Sequence, residues 1–248
     1  NQKLILQKVH FRYLGNDTNV INGLDIEIPP NKTTAVVGAS GSGKTTLIKL
    51  ILKFYLPNTG NIYNGDQNLN SLSHRAWRNH CGVVQQEGYI FNDTIAYNIA
   101  IGDDEIDESR LIMATKTANI YDFVQSQPLG FNTQIGNEGV GLSTGQKQRI
   151  LIARAVYKDP PLLCFDEATS ALDAKNERLI MEKLKTFFEN KTVIIIAHRL
   201  STVQNADKIL VMEDGQIIES GTHHQLLFQK KSYYHLVKNQ LQLENLKY

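Results

Sequence analysis

Apolar positions in this chain change period repeatedly, from short β-type runs to helical spacing and back, which predicts an α/β fold. Residues 4–13 read as a strand ending in the aromatic pair Phe11 and Tyr13, and residues 19–28 as a second strand. The run Thr33-Thr34-Ala35-Val36-Val37 is β-branched and apolar, the mark of a buried strand. Between them Pro29-Pro30-Asn31-Lys32 predicts a turn, with Asn31 tolerant of left-handed backbone. Downstream, Leu47, Leu50, Ile51 and Phe54 fall at i, i+3, i+4 and i+7, one apolar face of a helix. Asn64-Gly65 predicts a hairpin, and 81–85 a short apolar strand.

From about 92 to 157 the pattern turns helical. Asp103-Asp104-Glu105 precedes a helix pattern carrying Ile106, Leu111, Met113 and Ala114, and 121–127 is a further short helix. A polar, glycine-rich loop at 136–141 leads into Leu142-Ser143-Thr144-Gly145-Gln146 and a long helix. Strand and helix then alternate again: strands at 162–166 and 192–197 with a helix at 174–188 between them, and a hairpin around Asp214-Gly215. Two helices near 222–228 and 232–246 close the chain. The expectation is an α/β core with an inserted helical segment.

Between the strand at 33–37 and its helix stands Gly38-Ala39-Ser40-Gly41-Ser42-Gly43-Lys44-Thr45-Thr46. It fits G-x-x-x-x-G-K-[ST], the phosphate-binding loop of P-loop nucleotidases. A chance match somewhere in the chain has odds of roughly 1% at ordinary residue frequencies, and the strand-loop-helix context lowers them. Glycines let backbone wrap a polyphosphate, and a helix N-terminus aims N–H groups at it. Lys44 is placed to reach β/γ-phosphates and Thr45 to offer a hydroxyl to Mg²⁺. The strand Leu162-Leu163-Cys164-Phe165 ends in Asp166 and Glu167. Beside the P-loop strand it would deliver Asp166 to the Mg²⁺ shell and Glu167 to an attacking water. A helix cap is the bland alternative. Ser143 and Gly145 open a helix and make a second anion-binding end, although an ordinary N-cap explains Ser143 alone.

Composition narrows the classes. Of 248 residues 42% are apolar, enough for a sizeable core, and 26 basic against 25 acidic residues leave a net charge of +1. No global field argues for nucleic acid. Cys81 and Cys164 lack C-x-x-C spacing and read as reduced thiols. No apolar run approaches a membrane span, no signal peptide opens the chain, and the start at Asn1 suggests a piece of a longer polypeptide.

Taken together, the motifs resemble the nucleotide-binding domain of ATP-binding cassette (ABC) transporters over essentially the whole chain, 1–248. The 142–146 run resembles the family signature Leu-Ser-Gly-Gly-Gln; Gln86 sits where the Q-loop glutamine lies; Ser170-Ala171-Leu172-Asp173 resembles the D-loop. His198 resembles the switch histidine, and Tyr13 the aromatic that stacks on adenine. Phe91-Asn92-Asp93-Thr94-Ile95, residues 135–139 and Glu219-Ser220-Gly221-Thr222-His223 resemble the exporter branch, and residues 141–149 with the 133–136 lead-in the peptide exporters that carry a peptidase.

The resemblance implies a P-loop NTPase (RecA-like) core over 1–91 and 158–248 with an antiparallel β subdomain, and an inserted α-helical subdomain over 92–157. It implies ATP and Mg²⁺, with Gly38, Ala39, Ser40, Gly41, Ser42, Gly43, Lys44, Thr45 and Thr46 on the phosphates and Thr45, Gln86 and Asp166 around the metal. Glu167, His198 and Gln86 take catalytic roles. Ser143, Thr144, Gly145 and Gln146 serve a second copy's ATP in a head-to-tail dimer, and Asp173 serves communication across it. The implied setting is the cytoplasmic face of a membrane, beside a transmembrane domain N-terminal in the same polypeptide.

The sequence departs from the pattern in three places. Thr144 replaces a signature glycine, Asn137 stands where exporters carry Glu, with Glu138 one place on, and the hairpin between Gly60 and Gly65 is one residue short. Two other readings compete. An ABC ATPase acting on DNA or the ribosome would need a coiled-coil insertion or a second cassette, and neither is present in this chain. A regulatory cassette would lose Glu167 or His198, and both are kept. Nothing in these residues names the cargo or decides between a pair of identical and a pair of different halves.

Overall fold

The structure, a computed structural model, describes residues 2–136, 139–169, 172–197 and 199–245. In chain order come β1 (Leu4–Phe11), β2 (Ile21–Ile28), β3 (Thr33–Val37), α1 (Lys44–Ile51), β4 (Thr59–Asn64) and β5 (Gln67–Asn68). Next are α2 (His74–His80), β6 (Cys81–Gln85), β7 (Asp93–Thr94), α3 (Ile95–Ile99), α4 (Glu108–Thr117), α5 (Tyr121–Ser126) and β8 (Gln134–Ile135). Then follow α6 (Thr144–Lys158), β9 (Leu162–Asp166), α7 (Ala174–Phe187), β10 (Thr192–Ile196) and α8 (Leu200–Val203). The chain ends with β11 (Lys208–Glu213), β12 (Gln216–Gly221), α9 (His223–Gln229) and α10 (Ser232–Asn245). The chain divides into two compact units, one of residues 1–81 and 190–248, the other of 82–189.

The first unit holds two sheets. An antiparallel sheet runs β2-β1-β4-β5 and carries the chain from Phe11 towards Tyr13. The second runs β12-β11-β3-β10, with β3 parallel to both of its neighbours. A strand flanked on both sides has its backbone fully paired, and Thr34 to Val37 are buried accordingly, as the β-branched run requires. One face of this sheet packs Ala35, Val37, Ile209 and Val211 against Leu226, Tyr233 and Val237 from α9 and α10. At the β11–β12 turn Asp214 and Gly215 both take left-handed backbone, φ 47° and 76°, the conformation a tight two-residue hairpin demands. Asn31 is left-handed too, at φ 56°, as its residue type predicts.

In the second unit α6 is the central helix. It buries Ile150, Leu151, Ile152, Ala153 and Val156, and packs against α3 and α4. The unit also contains β9, every residue of which is buried, with β6 as its neighbour.

Three expectations need correction. The helix after the P-loop stops at Ile51, so Phe54 lies beyond it and is 43% exposed. Lys53 ends the helix: its backbone is left-handed at φ 56°, and its buried ammonium donates to the carbonyls of Leu69 and Leu72 at 2.6 and 2.8 Å. The helix expected after Asp103-Asp104-Glu105 starts only at Glu108. Asp107 is its cap, with Oδ1 accepting from the Arg110 N–H at 3.0 Å, so Ile106 precedes the helix and is exposed. Met113 faces solvent, while Leu111 and Ala114 are buried as predicted.

Candidate functional site

In the first unit, β3 delivers the chain into the loop at Gly38, and α1 leaves it at Lys44. Gly43 occupies the N-cap with φ 104° and gives α1 no side-chain cap. The first N–H groups of a helix have no acceptor within it, and the helix dipole puts partial positive charge at this end, which suits an anion. The loop needs glycine for a second reason. A Cβ on Gly38 would stand 2.1 Å from the carbonyl oxygen of Met212, because β11 and its hairpin back the loop closely. The Gly215 N–H donates to the Ser42 carbonyl at 3.1 Å and strengthens that backing.

Lys44 is 6% exposed, and its ammonium donates to the carbonyls of Gly38 and Ala39 at 2.9 and 2.7 Å. A buried ammonium must be matched by acceptors, and here the loop itself supplies them. Ser42 Oγ is buried with no hydrogen-bond partner, an orphan inside the loop. Ala39, Ser40 and Gly41 line the exposed rim, Thr45 is exposed and Thr46 buried. A helix N-terminus without a side-chain cap, a buried cation and an orphaned hydroxyl around a glycine cradle fit a polyphosphate. Tyr13 is half-buried, with its phenol oxygen 2.9 Å from Thr46 Oγ1.

The second unit carries the remaining described candidates. Asp166 ends β9 and is 7% exposed; Glu167 follows it, half-buried, in left-handed backbone at φ 51°. A non-glycine residue held there costs on the order of 1 kcal/mol, and such strain collects at functional positions. The turn behind Glu167 is braced by Thr169, whose hydroxyl donates to the buried Glu177 carboxylate at 2.8 Å. Ser143 caps α6 reciprocally: its Oγ accepts the Gln146 N–H at 3.2 Å, while Gln146 Oε1 accepts the Ser143 N–H at 2.8 Å. The ordinary-cap reading of Ser143 is therefore realised. It leaves the Ser143 hydroxyl proton and the N–H groups of Thr144 and Gly145 at an exposed helix end, with the Thr144 side chain in solvent.

Gln86 is exposed just past β6, and the preceding carbonyl, of Gln85, receives Gln148 Nε2 of α6 at 3.4 Å. Asp173 caps α7, accepting the Asn176 N–H at 2.9 Å and also bonding the Asn176 side-chain amide. Those hydrogen bonds hold its carboxyl below the usual carboxylate range. His198, Ser170, Ala171, Asn137 and Glu138 lie outside the described residues.

Arg154 and Asn98 carry no motif and were not singled out by sequence. Arg154, on α6, donates Nε to the Asn98 carbonyl at 2.8 Å and Nη2 to the Tyr89 carbonyl at 3.0 Å, and stacks on Phe91. Burial pushes its pKa down to about 10. Asn98, fully buried, accepts the Phe91 N–H at 2.8 Å and donates to the Phe91 and Thr94 carbonyls. Together they fasten the segment after Gln86 to α6. The only available signal was helical position: Arg154 interrupts the apolar stretch Ile150-Leu151-Ile152-Ala153 and Ala155-Val156 of α6.

Comparisons with known proteins bear on these geometries. The sequence profile of the family described as "ABC transporter" matches residues 21–170. The chain is 46% identical over 235 residues to an ATP-dependent lipid A-core flippase of Saccharophagus degradans, covering 95% of this chain and 40% of that protein. It is 44% identical over 238 residues to the leukotoxin translocation ATP-binding protein LktB of Mannheimia haemolytica, covering 96% of this chain and 33% of that one. A solved structure of a bacterial Atm1-family ABC exporter with ATP bound superposes with a TM-score of 0.91 at 38% identity, covering 96% of this chain and 42% of that chain. The chain thus spans well under half the length of these relatives.

Proposed function

Since this chain belongs to the ABC transporter family, we propose that it is the ATP-hydrolysing engine of an exporter. The observation that carries this reading is the loop around Lys44: an uncapped helix end, a buried ammonium and an unpartnered Ser42 hydroxyl around a glycine cradle. In this reading the triphosphate lies along residues 38–46. The Lys44 ammonium trades loop carbonyls for phosphate oxygens, and Tyr13 stacks on adenine. Mg²⁺, bound with the nucleotide, supplies charge neutralisation. Thr45, Asp166 and Gln86 are the residues to hold it, all hard oxygen donors of the kind this ion takes.

A second copy completes each site. The exposed α6 end of one chain, with Ser143, Thr144, Gly145 and Gln146, meets the triphosphate held by the other, so each anion-binding helix end of a chain serves a different nucleotide. Ser143 caps its own helix through the oxygen, which leaves its proton for a γ-phosphate. Glu167 orients the attacking water, His198 contacts the γ-phosphate, and Asp173 and the segment around it report across the pair. The helical segment 92–157 is inserted in sequence between the core segments 1–91 and 158–248.

Among the described residues no helix is long and apolar enough to cross a membrane. By its kinship with the ABC exporters, the reading places the chain at the cytoplasmic face, working on a transmembrane domain of the same polypeptide or of a neighbour. By their names, the relatives above are a flippase of lipid A-core and an ATP-binding protein of leukotoxin translocation. The cargo of this chain, peptide or otherwise, would be chosen by membrane spans outside these residues.

Replacing the water-orienting carboxylate tests the reading. Glu167→Gln keeps shape and hydrogen bonding but loses the charge. It is expected to cut turnover by roughly a hundredfold or more while ATP still drives two chains together in light scattering. Turnover equal to that of the unaltered chain removes Glu167 from its role.

A further inference from the structure

Tyr13 is held more tightly than one hydroxyl contact requires. Its ring meets Phe11 edge to face, with centroids 4.9 Å apart and planes at 83°, and meets Tyr55 at 5.2 Å and 89°. Phe11 and Tyr55 contact each other at 5.4 Å, so the three rings close a triangle. Phe11 is 4% exposed and forms the fixed corner, whereas Tyr55 is 42% exposed and stands at the rim. On the other flank the phenol oxygen is bonded to Thr46 Oγ1, and the Lys49 ammonium stands 5.9 Å from the ring centroid.

Three of these four restraints share an origin. Thr46 and Lys49 lie on α1, and Tyr55 comes four residues after that helix ends at Ile51. The helix whose N-terminus faces the phosphate loop therefore also sets the position of the aromatic ring. A mononucleotide has a base and a phosphate end at a fixed separation, and a site gains affinity when both contacts are pre-set rather than found on binding. Tyr55 is more exposed than a core residue, and edge-to-face contact with another ring is its main packing on Tyr13.

We propose that Tyr55 is a positioning residue for the nucleobase: with the Tyr13–Thr46 hydroxyl bond, it sets the Tyr13 ring in register with the phosphate loop. This rests on the assignment of Tyr13 as the base-stacking residue. Tyr55 acts through Tyr13 and touches no part of the ligand. Its loss should leave recognition of the phosphates alone and weaken recognition of the base.

The experiment compares two ligands by titration calorimetry: ATP, and inorganic tripolyphosphate, which has the phosphates without the base. The proteins are the unaltered chain, Tyr13→Leu, Tyr55→Leu, the double variant and Tyr55→Phe, each with its melting temperature measured. Tripolyphosphate affinity is expected to stay the same throughout. ATP is expected to bind about two- to tenfold more weakly to Tyr55→Leu, the size of an edge-to-face ring contact. Tyr55→Phe, which keeps the ring, should restore it. In the Tyr13→Leu background, removal of Tyr55 should add nothing.

Several results would overturn the proposal. Unchanged ATP binding by Tyr55→Leu, with Tyr13→Leu weakened, removes Tyr55 and leaves the base-stacking assignment standing. If Tyr13→Leu also leaves the ratio of the two affinities untouched, that assignment falls as well. Equal weakening of both ligands by Tyr55→Leu makes it a support of the loop or of folding. Additive losses in the double variant make Tyr55 a direct base contact.

Discussion

Lys44 carries the largest electrostatic burden of any described residue at the phosphate loop. The residue is 6% exposed and its ammonium donates to two loop carbonyls, so the loop holds a cation in place before any ligand arrives. Lys44→Ala removes charge-assisted hydrogen bonds worth about 1.5–3 kcal/mol, which predicts ATP affinity lower by roughly ten- to a hundredfold in calorimetry. Arg154 presents the opposite balance. Its guanidinium is partly desolvated, with a pKa pushed down to about 10, and spends its donors on the Asn98 and Tyr89 carbonyls. Arg154→Met keeps much of the stem but strips those carbonyls of a partner, and should cost about 1–3 kcal/mol, read as a lower midpoint in denaturant. ATP binding by the loop around Lys44, which belongs to the other compact unit, should hold. Lys44, Asp166, Glu167 and Ser143 could be singled out as candidates from the sequence because spacing and neighbours define them. The left-handed backbone of Glu167 and the buried clamp at Arg154 were not, since both are set by contacts made after folding.

Among the elements, the helix caps tie sequence to pH. Asp173 caps α7 by accepting the Asn176 N–H, and its carboxyl titrates below the usual range because hydrogen bonds from Asn176 favour the ionised form. A group whose pKa is depressed on folding contributes stability above its unfolded value and loses that contribution as pH falls through the folded one. The advantage of the unaltered chain over Asp173→Ala should therefore be full at neutral pH. In melting curves it should shrink once pH drops below the ordinary aspartate pKa. An advantage that stays flat into acid would remove the ionised cap from this account.

Strands with continuous β-branched or apolar runs, such as β3, β6 and β9, were read from sequence with their observed bounds, as periodicity and composition agree there. Helix α2 was missed because His74-Arg75-Ala76-Trp77-Arg78-Asn79-His80 buries Trp77 alone and shows no apolar face. Its signal was the cap: Ser73 Oγ accepts the Ala76 N–H at 3.1 Å. Phe54 was misassigned for the reverse reason. The periodicity ran on past a helix that Lys53 ends through tertiary hydrogen bonds with the carbonyls of Leu69 and Leu72.

At the scale of the molecule, each of the two compact units carries one helix end suited to an anion. The end of α1 is lined by Lys44, and the end of α6 is capped by Ser143 with its donors exposed. Two such ends in one chain are accounted for when each serves a different nucleotide between two chains. That arrangement is the one proposed above, on these two helix ends and on membership of the ABC transporter family. The chain spans 40% of the flippase and 42% of the Atm1-family exporter chain.

The most direct test is the rate of ATP hydrolysis per mole of this chain, measured with Mg²⁺ over a wide range of protein concentration, for the unaltered chain and for Ser143→Arg. A site completed by a second copy predicts a specific rate that rises with concentration and then levels off, and a Ser143→Arg variant that binds ATP but stays inactive throughout. A specific rate that is constant at every concentration and survives Ser143→Arg would mean that one chain holds a complete catalytic site, and would contradict the account.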